Sequence, residues 1–345
     1  MSLPALYDTL NAHIEGNSPR HFGDPQTEYR RLMTHTGLWI HPNRPFTLAG
    51  DEVQRWCNGM LSNNIRRLSP QQGNRNAICS PKGILEGLLD IYCLNKNLFL
   101  CLPDGIDGPW FTQRFRQFLF LDDIELESLE NHRTIRLMGP RAYSTAQALG
   151  YALPNDNEQC TTPSEDIWAV FSTRFGLPSV DIICPDSLIE SIIEQAQHAG
   201  TSLVGQEAYD HCRIERCSAA WPDDRYSEKP LLHALRLNAD CCAFDKGCYV
   251  GQEVINRIDV KGKLGRKLQV LKLSAAVPSG TPLHDNGKER AVLTSISTLD
   301  QIIGLAVLPK AYWAEGSVLS LGDTGEFATV ITPVTPNIQS ANSPE

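Results

Sequence analysis

The sequence predicts an α+β protein of two related lobes followed by a small antiparallel β-domain. Three observations carry that reading: a strand-glycine-helix unit that occurs twice, hairpin signals after each occurrence, and short apolar strands punctuated by Gly and Pro from about Lys263 onward.

In the first unit, "FTLAGDEVQRWCNGM", Phe46 and Leu48 alternate before Gly50, and Val53, Trp56, Cys57, Met60 and Leu61 recur at helical spacing. In the second, "IRLMGPRAYSTAQAL", Ile135 and Leu137 alternate before Gly139, and Pro140 suits a first helical position. The hairpin "GILEGLLDIYCL"/"NLFLCL", joined at Asn95 and Lys96, follows the first unit, then a helix around Phe111 to Leu119 and the strand "IELESL". The hairpin "WAVFSTRF"/"SVDIIC", joined at Gly176 to Pro178, follows the second. A helix is then expected from Leu188 to Ala199, opened by the capping box Ser187 and Glu190 and stopped by Gly200. The late strands, "KLQVLKL", "RAVLTSIS", "QIIGLAVL", "SVLSL" and "EFATVIT", read as a barrel or sandwich, and "TPVTPNIQSANSPE" has the composition of a disordered tail.

A chain of 345 residues is long enough for two or three domains, each with its own core. No run approaches the roughly 18 apolar residues of a membrane span, and the N-terminus has neither a basic n-region nor an apolar h-region, so no leader is expected. The eleven cysteines are scattered, odd in number and without a CxxC pair, which argues for reduced thiols, a cytoplasmic location and no closed zinc site. A net charge of −9 disfavours broad nonspecific binding to nucleic acid. Arg257, Lys261, Lys263, Arg266 and Lys267 form a local basic strip against one acid, Asp259. Such a strip is ordinarily a solvated surface; its sharper reading is an anchor for an anionic ligand tail or a weak contact with an RNA backbone.

The densest chemistry lies in "DKGCYVGQEVINR", residues 245–257. A free cysteine is commonly a small buried hydrophobe. Cys248, however, precedes a helix expected to begin near Gly251 and has Lys246 close by, and both features favour a thiolate. No histidine is nearby to act as a base, His233 being the nearest in sequence. Transient ligation of iron or a cluster and redox exchange both stay open for the thiol. Gly247 and Gly251 permit close backbone approach, while Gln252 and Glu253 offer an amide and a carboxylate to a heterocycle. Glu253 and Arg257 are also spaced i, i+4, as a plain helical ion pair would be.

The run Lys246-Gly247-Cys248-Tyr249, followed by Gly251-Gln252-Glu253 and Arg257, resembles the signature of the YgfZ-type folate-binding proteins, relatives of the glycine-cleavage aminomethyltransferases. "HTGLW" (35–39), "LAGDE" (48–52), "CSPKG" (79–83), "RIE" (213–215) and "WPDD" (221–224) lie in the order of that family. The resemblance implies a three-domain cloverleaf around a central tetrahydrofolate channel, divided here as 1–48 plus 132–258, 49–131, a C-terminal barrel at 259–333 and a tail at 334–345. It further implies support of iron-sulfur enzymes, among them enzymes that modify tRNA, and contact with iron-sulfur assembly proteins. Cys248 would be the functional thiol. Trp39, Arg213, Glu215, Lys246, Gly247, Tyr249, Gly251, Gln252, Glu253 and Arg257 would serve the folate. Arg213 and Glu215, placed on a presumed strand, would face one side, Glu215 toward the pterin and Arg213 or Arg257 toward the glutamate tail.

The chain departs from the transferase pattern where catalysis resides. "KGILEGLLD" puts Glu86 and Gly87 at the acidic positions of the transferases, "TRFGLPSVD" has no acid before Asp181, and Asn63 and Asn64 stand where an aspartate often sits. A folate binder without classical turnover is therefore expected, with a one-carbon transferase acting through Glu86 as the alternative.

Overall fold

The computed structural model describes residues 3–335 except 17, 107, 120–122 and 156–158. Two mainly antiparallel sheets form the lobes. The first has the order Cys160–Ser164, Ile167–Arg174, Leu177–Pro185, His132–Met138, Gly37–Ile40, and ends with Ser202–Leu203 pairing parallel to Gly37–Ile40. The second has the order Gly73–Cys79, Leu85–Asn95, Leu98–Asp104, Phe46–Ala49, Glu125–Ser128.

The repeated unit is real in three dimensions. Strand Phe46–Ala49 leads through Gly50 to helix Val53–Met60, and strand His132–Met138 leads through Gly139 to helix Ala142–Ala148. Both glycines are left-handed, at φ +143° and +130°, and a Cβ would lie 2.2 Å from the Asp123 carbonyl oxygen at Gly50 and 2.5 Å from that of Leu32 at Gly139. No other residue type fits either corner.

Strand alternation sends one face of each sheet to its helices. Leu38, Ile135, Leu137, Val180 and Ile182 pack on Ala142, Ala146, Ile189 and Ile193. Phe46, Leu48, Ile91 and Phe99 pack on Val53, Trp56, Phe111 and Phe115. The opposite faces turn toward each other, where Tyr92, Leu100 and Leu102 of the second sheet meet Cys160, Val170 and Ile183 of the first. The third unit is a closed antiparallel barrel from Arg266 to Ile331, cored by Leu271, Leu283, Leu293, Leu308, Leu319 and Val330. Trp221, Leu232, Leu235, Tyr249 and Ile255 bury themselves between the second sheet and the barrel. Among the described residues no helix is long and apolar enough to cross a membrane.

Several local expectations need correction. Residue 48 is no boundary, because strand Phe46–Ala49 pairs only within the second sheet. The barrel begins later than 259, since helix Gln252–Lys261 runs on to a left-handed Gly262 and the first barrel strand starts at Arg266. The capping box is absent: Ser187 lies inside a 3-10 turn, Asp186–Leu188, and helix Ile189–His198 starts without a side-chain cap. The helix expected at 111–119 is Gly108–Arg116. The "RIE" segment is not a strand but the end of helix Gln206–Glu215, whose apolar positions Ala208, Tyr209 and Cys212 follow the helical period. Arg213 and Glu215 therefore point to different sides. The tail expected at 334–345 falls almost wholly outside the described residues, which end at 335.

Candidate functional site

Where the inner faces diverge they enclose a cleft of about 1420 Å³, lined among others by Arg75, Asp90, Tyr92, Asp104, Arg174 and Phe175. In and behind its lining runs a row of buried charges placed by strand register. Arg75 and Asp90 are cross-strand partners in the second sheet, as are Arg136 and Asp181 in the first. Arg136 grips Asp181 with two bonds, Nε to Oδ1 at 2.6 Å and Nη2 to Oδ2 at 2.9 Å, and donates from Nη1 to the Tyr209 hydroxyl at 2.8 Å. Arg75 pairs with Asp104, and Arg174 reaches across from the first sheet to pair with Asp90 of the second. The Arg174–Asp90 pair thus ties the lobes together as well as lining the cleft.

Burial alone would raise the Asp104 carboxyl, but Arg75 and Arg174 outweigh it and hold it well below the usual carboxylate range. Asp181 is likewise lowered, its burial overcome by Arg136. Burial, aided by Arg136, pushes His41 down to about 4, so the imidazole beneath the network is neutral. Arg174 Nε and Ser172 Oγ are buried without any protein partner. Three of the non-glycine residues in left-handed conformation, Phe175, Cys217 and Arg236, line this same cleft. Backbone strain of that kind concentrates at ligand sites. One wall is the C-terminal segment 332–335, which leaves the barrel and is pinned by the Val334 amide donating to the Glu215 carbonyl at 2.8 Å.

The signature residues gather on a different face. Lys246 donates from Nζ to the carbonyls of Asn58, Leu61 and Asn63, each at 2.7 Å, closing the C-terminal end of helix Val53–Met60. Its full set of donors is spent there rather than on the thiol, and burial lowers it to about 8. Tyr249 packs beneath, its ring 4.8 Å from that ammonium. Gly251 is left-handed at φ +85°, and a Cβ there would sit 2.6 Å from the Ser80 carbonyl oxygen. The "CSPKG" turn thereby seats against the start of helix Gln252–Lys261. Gly247 has open space around its Cα, and Gln252 Nε2 approaches the Lys246 carbonyl at 3.5 Å. Cys248 is exposed, in contrast to the other ten cysteines, which are buried or nearly so. Glu253 and Arg257 are both exposed and make no ion pair with each other. Lys261 and Lys263 are exposed, Arg266 donates to the carbonyls of Arg290 and Val307, and Lys267 lies 5.8 Å from the Trp313 ring.

The remaining candidates are structural in their contacts. Arg213 donates to Asp210 at 2.5 Å, Asp224 at 2.9 Å and Ser295 at 2.8 Å, bolting helix, "WPDD" loop and barrel together, and it also lines the cleft. Glu215 accepts from the Tyr29 hydroxyl at 2.7 Å and pairs with Arg216. Trp39 stacks on Tyr209 with centroids 4.2 Å apart. Glu86 accepts from Arg114 Nε at 2.8 Å and Nη2 at 2.7 Å and does not line the cleft. Among the described residues no group of three or more His, Cys, Asp or Glu is placed to hold a metal.

Sequence reasoning missed the cleft network itself. Its signal was present: Asp90, Arg136 and Asp181 are charges flanked on both sides by apolar residues within strands, positions that demand a buried partner.

No protein-family model matches the chain. A protein named aminomethyltransferase from Halothermothrix orenii is 24% identical over 299 residues, 81% of each chain. A protein named tRNA-modifying protein YgfZ from Vibrio atlanticus is 20% identical over 292 residues, 81% of this chain and 84% of that one. The crystal structure of the glycine cleavage system aminomethyltransferase T from Bartonella henselae superposes with a TM-score of 0.84 at 17% identity, covering 95% of both chains. Along most of its length the chain thus resembles both aminomethyltransferases and YgfZ proteins, and its fold is aminomethyltransferase-like.

Proposed function

We propose that the chain binds a reduced folate in the cleft between its lobes, and that it supports iron-sulfur enzymes, including enzymes that modify tRNA, through the thiol of Cys248. The carrying observation is the cleft, where polar atoms buried without partners, Arg174 Nε and Ser172 Oγ, lie among aromatic side chains. That donor set fits tetrahydrofolate, whose flat pterin pairs an apolar face with a hydrogen-bonding edge. Asp90, Ser172 and Arg174 would hold that edge, with Tyr92 and Phe175 against the face. Bound folate would supply a carrier for one-carbon units.

The name of the Vibrio atlanticus relative supports the tRNA-modification setting. The isolation of Cys248 as the exposed thiol supports its role, since a thiol that serves a partner must be reachable. The transferase alternative is weaker, because Glu86 is engaged by Arg114 and stands outside the cleft. Calorimetry with (6S)-tetrahydrofolate is expected to give saturable binding that Cys248→Ala leaves intact. In a strain lacking its own YgfZ protein, the wild-type chain should restore iron-sulfur enzyme activity and Cys248→Ala should not. Absence of binding at millimolar folate would overturn the reading. Folate-dependent aminomethyl transfer that disappears in Glu86→Gln would promote the alternative.

A further inference from the structure

Arginines recur around the cleft, and most are neutralised at short range. Arg75 pairs with Asp104, Arg174 with Asp90, Arg213 with Asp210 and Asp224, and Arg216 with Glu215. Arg236 is different. It lines the cleft, yet among the described residues it has no carboxylate partner: Nε donates to the Leu268 carbonyl at 2.8 Å and Nη2 to Gln269 Oε1 at 3.3 Å. Both acceptors are neutral and belong to the barrel strand Arg266–Leu273, so the guanidinium is fixed in place without losing its charge. Its backbone is left-handed at φ +62°, a conformation an arginine adopts only when the surroundings impose it.

The same barrel strand brings up a second cation. Lys267 precedes Leu268 and also has no ion pair among the described residues. Lys267 lies two residues before Gln269, the side chain that Arg236 donates to, so strand alternation puts both on one face of the strand beside the guanidinium; burial first, and then that guanidinium, lower the Lys267 pKa. Cys217, another residue of the cleft wall, shares the Leu268 carbonyl with Arg236, its thiol donating there at 3.6 Å, and burial raises that thiol to about 11. Asp224 cannot balance the pair, because its oxygens already accept from Arg213 at 2.9 Å, the Ala220 amide at 2.8 Å and Ser295 at 2.7 Å. Two like charges held together without an anion cost free energy that a bound anion returns.

We propose that Arg236 in the cleft wall, backed by Lys267 on the barrel strand it is bonded to, forms an anion-binding subsite that takes the carboxylate end of the ligand. Assigning the anion to a folate's glutamate tail rests on the folate reading; the subsite itself does not. The assignment moves the tail away from Arg213, whose guanidinium is committed to protein partners, and from Arg257, which lies outside the cleft.

Two probes separate the claims. Inorganic phosphate, titrated into the full chain during thermal unfolding, should raise the melting temperature of the wild type and fail to raise that of Arg236→Gln or Lys267→Gln. Arg236→Lys should recover part of the rise. Equal phosphate responses in wild type and both Gln variants would overturn the subsite, whatever the folate result. In the second arm, tetrahydrofolate is compared with its α,γ-diamide, which keeps the pterin and the benzoyl group but carries no carboxylate. Wild type should prefer the carboxylate ligand by about tenfold, the size of one charge-assisted contact, and Arg236→Gln should bind the two alike. A phosphate response without that preference supports the anion subsite and rejects the glutamate as its occupant. Failure of both pterins to bind, with the phosphate response intact, rejects the folate reading and leaves the subsite standing.

Discussion

Replacing Arg174 by Met tests whether buried charge holds the two lobes together. The Arg174 side chain is 11% exposed and that of its partner Asp90 is 6% exposed, so solvent screens neither. In Arg174→Met, Asp90 keeps only Arg75, 3.5 Å away and already shared with Asp104. Breaking a buried pair by deleting one member costs about 3–5 kcal/mol, and the remaining arginine places this case near the lower end, at about 3 kcal/mol. Removing both charges relieves the orphan, so Arg174→Met/Asp90→Leu should return to within about 1 kcal/mol of wild type. Urea unfolding at pH 7, followed by tryptophan fluorescence, measures both differences. A loss below about 1 kcal/mol in Arg174→Met, or a double variant weaker than the single, would refute the reasoning.

Acid should destabilise the fold through its buried histidines. Burial pushes His41 down to about 4 and His211 to about 4, so each contributes stability that is complete above about 6.5 and is lost as pH falls toward 4. For His41 that interval is worth about 3 kcal/mol, and urea unfolding between pH 7.5 and 5 should show a shallower slope in His41→Asn. Lys246→Met should cost about 2 kcal/mol by stranding the carbonyls of Asn58, Leu61 and Asn63, and Lys246→Arg should not restore it, because a planar fork cannot cap three converging carbonyls; urea midpoints of the three proteins decide. Gly251→Ala should lose at least about 2 kcal/mol through its left-handed backbone and the Ser80 carbonyl. Gly247→Ala, with nothing within 4 Å, should unfold within about 0.5 kcal/mol of wild type; equal losses at the two glycines would contradict the seating of the "CSPKG" turn.

The parts of the fold that could be read in advance are those encoded locally. Gly50 and Gly139 mark corners that a Cβ would block, the hairpins turn where polar residues interrupt apolar alternation, and the barrel shows as strands at short intervals. "RIE" misled because three residues cannot separate a period of 2 from one of 3.6, and the wider run Ala208, Tyr209, Cys212 was needed. Ser187 had the right spacing from Glu190, but cap chemistry works only if the helix begins at the next residue, and a 3-10 turn intervenes. The site was harder to see because its members come from distant strands. Asp90 and Arg174 lie 84 positions apart and meet only because two inner faces oppose. The signature, by contrast, was plain in sequence, while its place on a face of its own could come only from the fold.

The wall made by residues 332–335 bears on how the protein is handled. Because Val334 is tethered to Glu215, the last described residue, Thr335, stands in the wall of the cleft. A tag fused after Glu345 is joined to that wall by only the ten residues 336–345, and a histidine tag would add a cluster of metal-binding imidazoles on the same short tether. Binding measurements belong on protein purified through its N-terminus.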